Sequence, residues 1–323
     1  MEGERVLEPS RNYRRLQSFK NWSGVSLPRA VVASQKWMAD MRLQFSPGDA
    51  YYPTCASREA YVVQSAQPRL VVESATKYYE TKTGRVHAID DYSMSVGEGE
   101  FVSVVGPSGC GKTTLLWSMA GLHSLTGGRV LLDGEPVTGP HPQIGMVFQD
   151  ANLLPWRNLR RNIEFPFEIK GLTPDVERIE HLLRRVGLEG FGAKMPRELS
   201  GGMQQRAAIV RALSFNPAVL LMDEPFGALD AFTRDEMNML VEEIWLETKK
   251  TIVFITHNIT EAVFLSDRIY VMSARPGRLV KTITVGFPRP RQLDILATKE
   301  VFDLVNEVKS HIQHGPAATT KAA

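Results

Sequence analysis

Cysteine is nearly absent from this chain, with two among 323 residues, at positions 55 and 110. Two such thiols cannot build a disulfide framework, so the fold must rest on a packed core, and a reducing compartment is expected. Aromatics are also few, at 8%. Neither sign of charge prevails: 38 Lys and Arg face 36 Asp and Glu, leaving a net charge of +2. That balance argues against a long nucleic-acid track. No run approaches 18 uninterrupted apolar residues, so no transmembrane helix is expected. The first residues lack the basic-then-apolar layout of a secretory leader, and a cytosolic protein is expected. The rest is ordinary globular composition, 43% apolar and 23% charged, enough for one large or two modest domains.

Residues 1–66 differ in character from the remainder of the chain. Residues 1–36 hold seven Arg or Lys against three Glu, with weak periodicity, and Ser46-Pro47-Gly48 and Gln67-Pro68 interrupt the stretch after them. The pattern predicts an irregular basic extension, a solvated tail on the simplest reading and an arm for anionic lipid or a partner on the other. From Arg69 the alternation sharpens. Strands are predicted at Leu70–Val72, Arg85–Ile89, Phe101–Val105, Arg129–Leu132, Ile144–Phe148, Ala218–Met222, Thr251–Ile255, Arg268–Met272 and Leu279–Val285. Helices are predicted at Gly111–Leu122, Asn158–Ile169, Pro174–Val186, Met203–Leu213, Ala231–Thr248 and Ile259–Leu265. Strands alternating with helices predict a mostly parallel sheet covered on both faces, and the helical block of about 150–216 reads as an inserted lobe. A core domain over 67–290 and a C-terminal helix with a flexible tail over 291–323 complete the expectation. No internal repeat is visible.

The chemistry begins at Gly106-Pro107-Ser108-Gly109-Cys110-Gly111-Lys112-Thr113-Thr114. It follows a predicted strand and opens a predicted helix, the context a phosphate-binding loop requires. Glycines let the backbone wrap a β-phosphate, so amide N–H groups and the helix N-terminus face the anion. Lys112 supplies a point charge to the β and γ oxygens, and the Thr113 hydroxyl suits Mg²⁺. Five apolar residues, Ala218 to Met222, end in Asp223 and Glu224. Strand alternation points the two acids in different directions. Asp223 is the candidate for the Mg²⁺ shell and Glu224 for the general base that polarises an attacking water; a helix-capping acid is the plain structural alternative. Ser200, Gly201 and Gly202 lead into a helix, which makes a second anion site or an ordinary Ser N-cap.

Together, the phosphate loop, Leu199-Ser200-Gly201-Gly202-Met203-Gln204 and Asp223-Glu224 resemble the nucleotide-binding cassette of the ABC transporter family. The resemblance covers roughly residues 70–285. It implies an α/β P-loop NTPase fold with a RecA-like, mostly parallel sheet core, an antiparallel β subdomain and an inserted α-helical subdomain. It further implies that Gln149 is the Q-loop glutamine, able to reach Mg²⁺ or water, and that His257 is the switch histidine on the γ-phosphate. Ala228-Leu229-Asp230 would form the D-loop that crosses between protomers, and Tyr79 would stack on adenine, with Tyr78 its rival. Ser200, Gly201, Gly202 and Gln204 would close over ATP held by another protomer. Leu153, Leu154 and Trp156 would receive a helix of a membrane subunit, although core packing is an alternative.

Within the family, Leu153-Leu-Pro-Trp-Arg157, Thr256-His257-Asn258-Ile-Thr-Glu-Ala262 and Met272-Ser-Ala-Arg-Pro-Gly-Arg278 resemble the importer ATPases for nitrate, sulfonates, taurine and bicarbonate. Asn258 departs from the Asp that often follows the switch histidine. The resemblance implies an ATPase using ATP and Mg²⁺, paired with a second cassette, permease subunits and, indirectly, a solute-binding protein, on the cytoplasmic face of a membrane and without nucleic acid. A soluble family member acting on ribosomes or nucleic acid is the rival, and a binding module that does not hydrolyse ATP is a second.

Overall fold

The computed structural model describes residues 68–82 and 84–314; the expected extension of residues 1–66 and the end of the expected tail, residues 315–323, lie outside the described residues. Two sheets carry the fold. The first is antiparallel, with strands β1 (Leu70–Thr81), β2 (Gly84–Val96), β4 (Gly127–Leu132) and β5 (Glu135–Pro136) in the order β2-β1-β4-β5. The second holds β3 (Phe101–Val105), β6 (Ile144–Val147), β7 (Val219–Asp223), β8 (Thr251–Ile255), β9 (Arg268–Met272) and β10 (Leu279–Thr284), in the order β10-β9-β3-β8-β7-β6. Every pairing in it is parallel except the antiparallel edge of β9 with β10. The fold is thus the expected α/β cassette, a mostly parallel sheet beside an antiparallel one with a helical insert.

The central strands explain themselves. All five residues of β3, of β7 and of β8 are buried, as continuous apolar runs covered on both faces must be. Between the two sheets lies α1 (Lys112–Met119), whose Leu115, Leu116 and Met119 pack with Leu70, Val72 and Ile89 on one side and Val104, Leu221 and Val253 on the other. Removing that much apolar surface from water, at about 25 cal/mol per Å², fixes how α1 sits between the sheets. The helical insert holds α2 (Leu159–Lys170), α3 (Val176–Arg185) and α4 (Gly201–Ser214). Asn158, Asp175 and Ser200 cap them, each side chain accepting a hydrogen bond from the backbone N–H three residues on. Then α5 (Ala231–Thr248) and α6 (Ile259–Leu265) alternate with the parallel strands, and α7 (Lys299–His314) packs Val301, Val305 and Val308 against Val271 and Ile283.

Several expected boundaries move: the strand predicted over Arg85–Ile89 spans Gly84–Val96, and the helix predicted to Leu122 ends at Met119. The predicted Leu70–Val72 strand continues to Thr81, because register shifts after Val72, Ala75 and Lys77 let a bulged antiparallel strand run on through polar residues. The helix predicted from Met203 begins at Gly201, since the Ser200 hydroxyl accepts from the Met203 N–H at 3.3 Å and draws both glycines into the first turn. Beyond β10 the chain is clasped to the core. Arg289 pairs with Glu242 of α5 and with Asp267, its guanidinium 4.0 Å from the Trp245 ring centre. Arg291 is buried, donating to the carbonyls of Val263, Phe264, Ser266 and Phe287.

Candidate active site

Parallel strands align their carboxyl ends, and an open α/β sheet binds ligands at that edge. Here β3, β6, β7 and β8 each deliver a predicted residue to it. The loop of Gly106–Gly111 follows β3, Gln149 follows β6, Asp223 ends β7 with Glu224 next, and His257 lies two residues beyond β8.

Two glycines of the loop answer steric demands of their own chain. A side chain at Gly106 would put its Cβ 2.7 Å from the Met272 carbonyl oxygen. Gly111 has φ +108°, and a Cβ there would lie 2.8 Å from the Ala88 oxygen. Lys112 is buried, and its ammonium donates to the carbonyls of Gly106 and Pro107 at 3.1 Å each, with Glu224 Oε1 3.9 Å away. Thr113 Oγ1 donates to Asp223 Oδ1 at 3.1 Å. Burial pushes the Asp223 carboxyl above its ordinary range; the Thr113 donor opposes that shift and Glu224 adds to it. A hydroxyl and a carboxylate side by side suit Mg²⁺, which accepts one or two protein oxygens and completes its shell with water and phosphate. Burial likewise raises the Cys110 thiol, so it stays protonated inside the loop.

The two acids separate as strand alternation predicts. Glu224 leaves β7 at φ +43°, turning its carboxylate towards His257, whose Nδ1 lies 2.8 Å from Oε2. A non-glycine residue in this backbone region is worth a functional question. Gln149 joins them: a Cβ on Gly227 would lie 3.7 Å from His257 Cε1 and 3.8 Å from Gln149 Nε2. Lys112, Thr113, Asp223, Glu224, His257 and Gln149 therefore share one locality.

Tyr79 reaches the same edge from β1. Its hydroxyl lies 2.9 Å from His123 Nδ1 and 3.4 Å from Thr114 Oγ1, on the helix that the loop opens. Tyr78 is otherwise engaged, stacked on His87 at 4.0 Å with the Arg85 guanidinium 3.8 Å from its ring centre.

The Ser200 segment is built differently. No hydrogen bond or ion pair joins Ser200, Gly201 or Gly202 to the phosphate loop among the described residues. Ser200 and Gly201 are exposed, and a Cβ on Gly201 would meet nothing within 4 Å. Gly202 faces α5 instead, where a Cβ would come 2.9 Å from Thr233 Cγ2. The Gln204 amide donates to the carbonyls of Pro196 and Leu199. Asp230 caps α5, accepting from the N–H groups of Phe232 and Thr233 and from the Thr233 hydroxyl, which together hold its carboxyl below the ordinary range. Leu153 and Leu154 are half-buried, whereas the Trp156 indole is 71% exposed.

Several polar groups that hold the site were not singled out from the sequence. Glu261, buried on α6, accepts from the Thr256 hydroxyl at 2.6 Å and from Asn258 Nδ2 at 3.2 Å, with Arg234 of α5 3.3 Å away. Burial raises its carboxyl. That contact accounts for Asn258: its Oδ1 caps α6 as an Asp would, while its amide can donate to Glu261, which a carboxylate cannot. The Thr-His-Asn-x-x-Glu spacing was the available signal. Gln205 and Arg211 of α4 had none, since both grip backbone carbonyls distant in sequence.

Comparison with known proteins agrees with this geometry. The profile of the ABC transporter family matches residues 89–227. An uncharacterized ABC transporter ATP-binding protein of Methanocaldococcus jannaschii is 50% identical over 226 residues, 69% of this chain and 84% of that protein. The taurine import ATP-binding protein of Roseobacter denitrificans is 45% identical over 251 residues, 76% of this chain and 90% of its own. Among solved structures, a dimeric post-hydrolysis ATP-binding cassette bound to ADP and Pi superimposes with a TM-score of 0.60 at 33% identity, covering 68% of this chain and all of that one.

Proposed function

Since the chain belongs to the ABC transporter family, whose ATP-binding proteins are ATPases, we propose that two copies bind head to tail and hydrolyse ATP to power uptake through separate membrane subunits. The observation that carries this reading is the contrast between two anion sites. The loop of Gly106–Thr113 meets its chemical partners within one chain, while Ser200 and Gly201 face open space at a helix N-terminus. A γ-phosphate held by another protomer would fill that space.

In the closed pair, Lys112 and the loop amides grip the β- and γ-phosphates of one nucleotide, and Tyr79 supports its adenine. Mg²⁺, held by Thr113 and Asp223 with Gln149 within reach, would neutralise phosphate charge. Glu224 takes a proton from the attacking water as its oxygen bonds the γ-phosphorus and the bond to ADP breaks, releasing ADP and phosphate. His257 steadies Glu224 through their hydrogen bond and turns to the γ-phosphate. Asp230 lies in the segment that crosses to the partner. Dimer contacts that require the γ-phosphate supply the difference in affinity between states that drives motion.

The exposed Trp156, beside Leu153 and Leu154, is the docking surface for a helix of a permease subunit. Among the described residues no helix is long and apolar enough to cross a membrane. The proposed place of work is the cytoplasmic face, beside the permease subunits. A small anion of the taurine, alkanesulfonate, nitrate or bicarbonate kind is the proposed cargo, presented by a solute-binding protein that this chain does not touch; the taurine importer relative supports it. Sedimentation of Glu224→Gln chains with saturating Mg-ATP tests the reading. A dimer that reverts to monomer when ATP is withheld is expected, and a monomer under both conditions would end it.

A further inference from the structure

The loop that carries Gln149 is tied to the insert on both sides of that residue. Before it, Gln205 of α4, itself 4% exposed, donates from Nε2 to the Phe148 carbonyl at 3.2 Å. After it, Arg211 of α4 donates from Nη2 to the Ala151 carbonyl at 2.7 Å and from Nη1 to the Asn152 carbonyl at 2.8 Å. Asn152 is turned to φ +47°, a conformation asparagine tolerates. Farther on, the buried Asn162 of α2 both accepts from the Leu154 N–H, at 2.6 Å, and donates to its carbonyl, at 3.1 Å. Gln149 and Asp150, between these ties, are exposed, and neither side chain has a hydrogen bond among the described residues.

Arg211 is unusual in what it lacks. Burial lowers its basicity, and no acidic group among the described residues offsets that cost. A guanidinium kept there without a counter-ion is held by charge-assisted bonds to two consecutive carbonyls, each met by its own nitrogen of the planar fork.

We propose that Gln205 and Arg211 are positioning residues that make the Gln149 loop part of α4. The N-terminal end of the same helix, about one turn before Gln205 and at the far end from Arg211, is Ser200-Gly201-Gly202. The consequence, which rests on the head-to-tail reading, is specific. When the α4 N-terminus closes on the partner's nucleotide, the helix carries Gln149 towards the nucleotide of its own chain, so each site reports its occupancy to the other through one rigid element.

The test uses the full chain and reads nucleotide affinity, turnover and thermal stability together. Arg211→Ala should lower kcat about tenfold or more. ATP affinity should stay within about twofold, because the nucleotide is held by the phosphate loop. The Hill coefficient for ATP should fall towards about one. Arg211→Lys, which keeps charge without the fork, should lie between, and Gln205→Met should shift kcat in the same direction while keeping side-chain volume. Should Arg211→Ala fail to fold, the other two carry the measurement. Folded variants with wild-type turnover and cooperativity would overturn the proposal, and so would a loss of ATP affinity equal to the loss of turnover. Dimerisation of Glu224→Gln in the same buffer separates the two claims: a dimer with unaffected Arg211 variants sinks only the positioning role of Gln205 and Arg211, and its absence sinks the head-to-tail reading first.

Discussion

Two glycine-rich segments of this molecule, Gly106–Gly111 and Gly201–Gly202, look alike in sequence and differ in what obliges them to be small. At Gly106 and Gly111 a methyl group would collide with the chain's own backbone, at Met272 and at Ala88. At Gly202 a Cβ would press on the Thr233 side chain of α5, whereas at Gly201 a side chain would meet nothing. Helix propensity does not favour glycine in a first turn either, since alanine is better by roughly 0.8–1.0 kcal/mol within a helix. A small residue that its own fold does not require is best explained by something outside the chain. On the head-to-tail proposal, the pair contrasts an anion site complete in a single copy with one that is half of a site.

That contrast can be broken at both ends. Glu224→Gln, acting at the complete site, should slow turnover by about 10²–10⁴-fold and leave ATP binding intact. Near-normal hydrolysis would remove Glu224 from the base role. Gly201→Asp should be nearly as damaging, about 10²-fold in turnover, although its side chain has room and an acid in the first turn stabilises a helix. Calorimetry should show unchanged melting and unchanged ATP affinity, and an active variant would refute the half-site. Tyr79→Ala should weaken ATP binding by roughly 5–150-fold, equivalent to 1–3 kcal/mol of stacking. Tyr78→Ala, whose ring is already engaged by His87 and Arg85, should change it less than about twofold. Equal effects would reverse the choice between the two tyrosines.

The smallest effect concerns stability. The Asp223 carboxyl titrates above its unfolded value because it is buried, so its ionisation works against folding. The cost is absent below the unfolded value of about 3.9 and complete once pH has risen through the folded one. Asp223→Asn should therefore raise the nucleotide-free Tm by a few degrees at neutral pH, roughly 2–4 °C for each kcal/mol relieved, and the gain should shrink in acid. A lower Tm at neutral pH would show that the carboxylate stabilises the empty site.

Where residues act as a contiguous string at the end of a buried strand, the sequence is readable. The phosphate loop and Asp223-Glu224 each follow a short, fully buried and mostly apolar run, and their neighbours along the chain are their neighbours in space. The parallel order of β3, β7 and β8 comes from the same runs. β1 reads short in the sequence because the apolar pattern stops at Val72, whereas bulges carry its ladder to Thr81. Gln205 and Arg211 are invisible there for another reason. They act by reaching across the fold to carbonyl groups that every residue possesses, and no residue pattern encodes a grip on backbone.

The clasp of Arg289 and Arg291 bears on how far the molecule can be shortened. Glu242 is 1% exposed, and its carboxylate is met by the Arg289 guanidinium and the Arg291 backbone N–H. A chain ending after β10 would strand that acid in an apolar interior at a cost of about 3–5 kcal/mol, a large share of the whole stability of a folded domain. The stretch following the last strand is thus a keystone of the ATPase core, and trimming it would topple the arch.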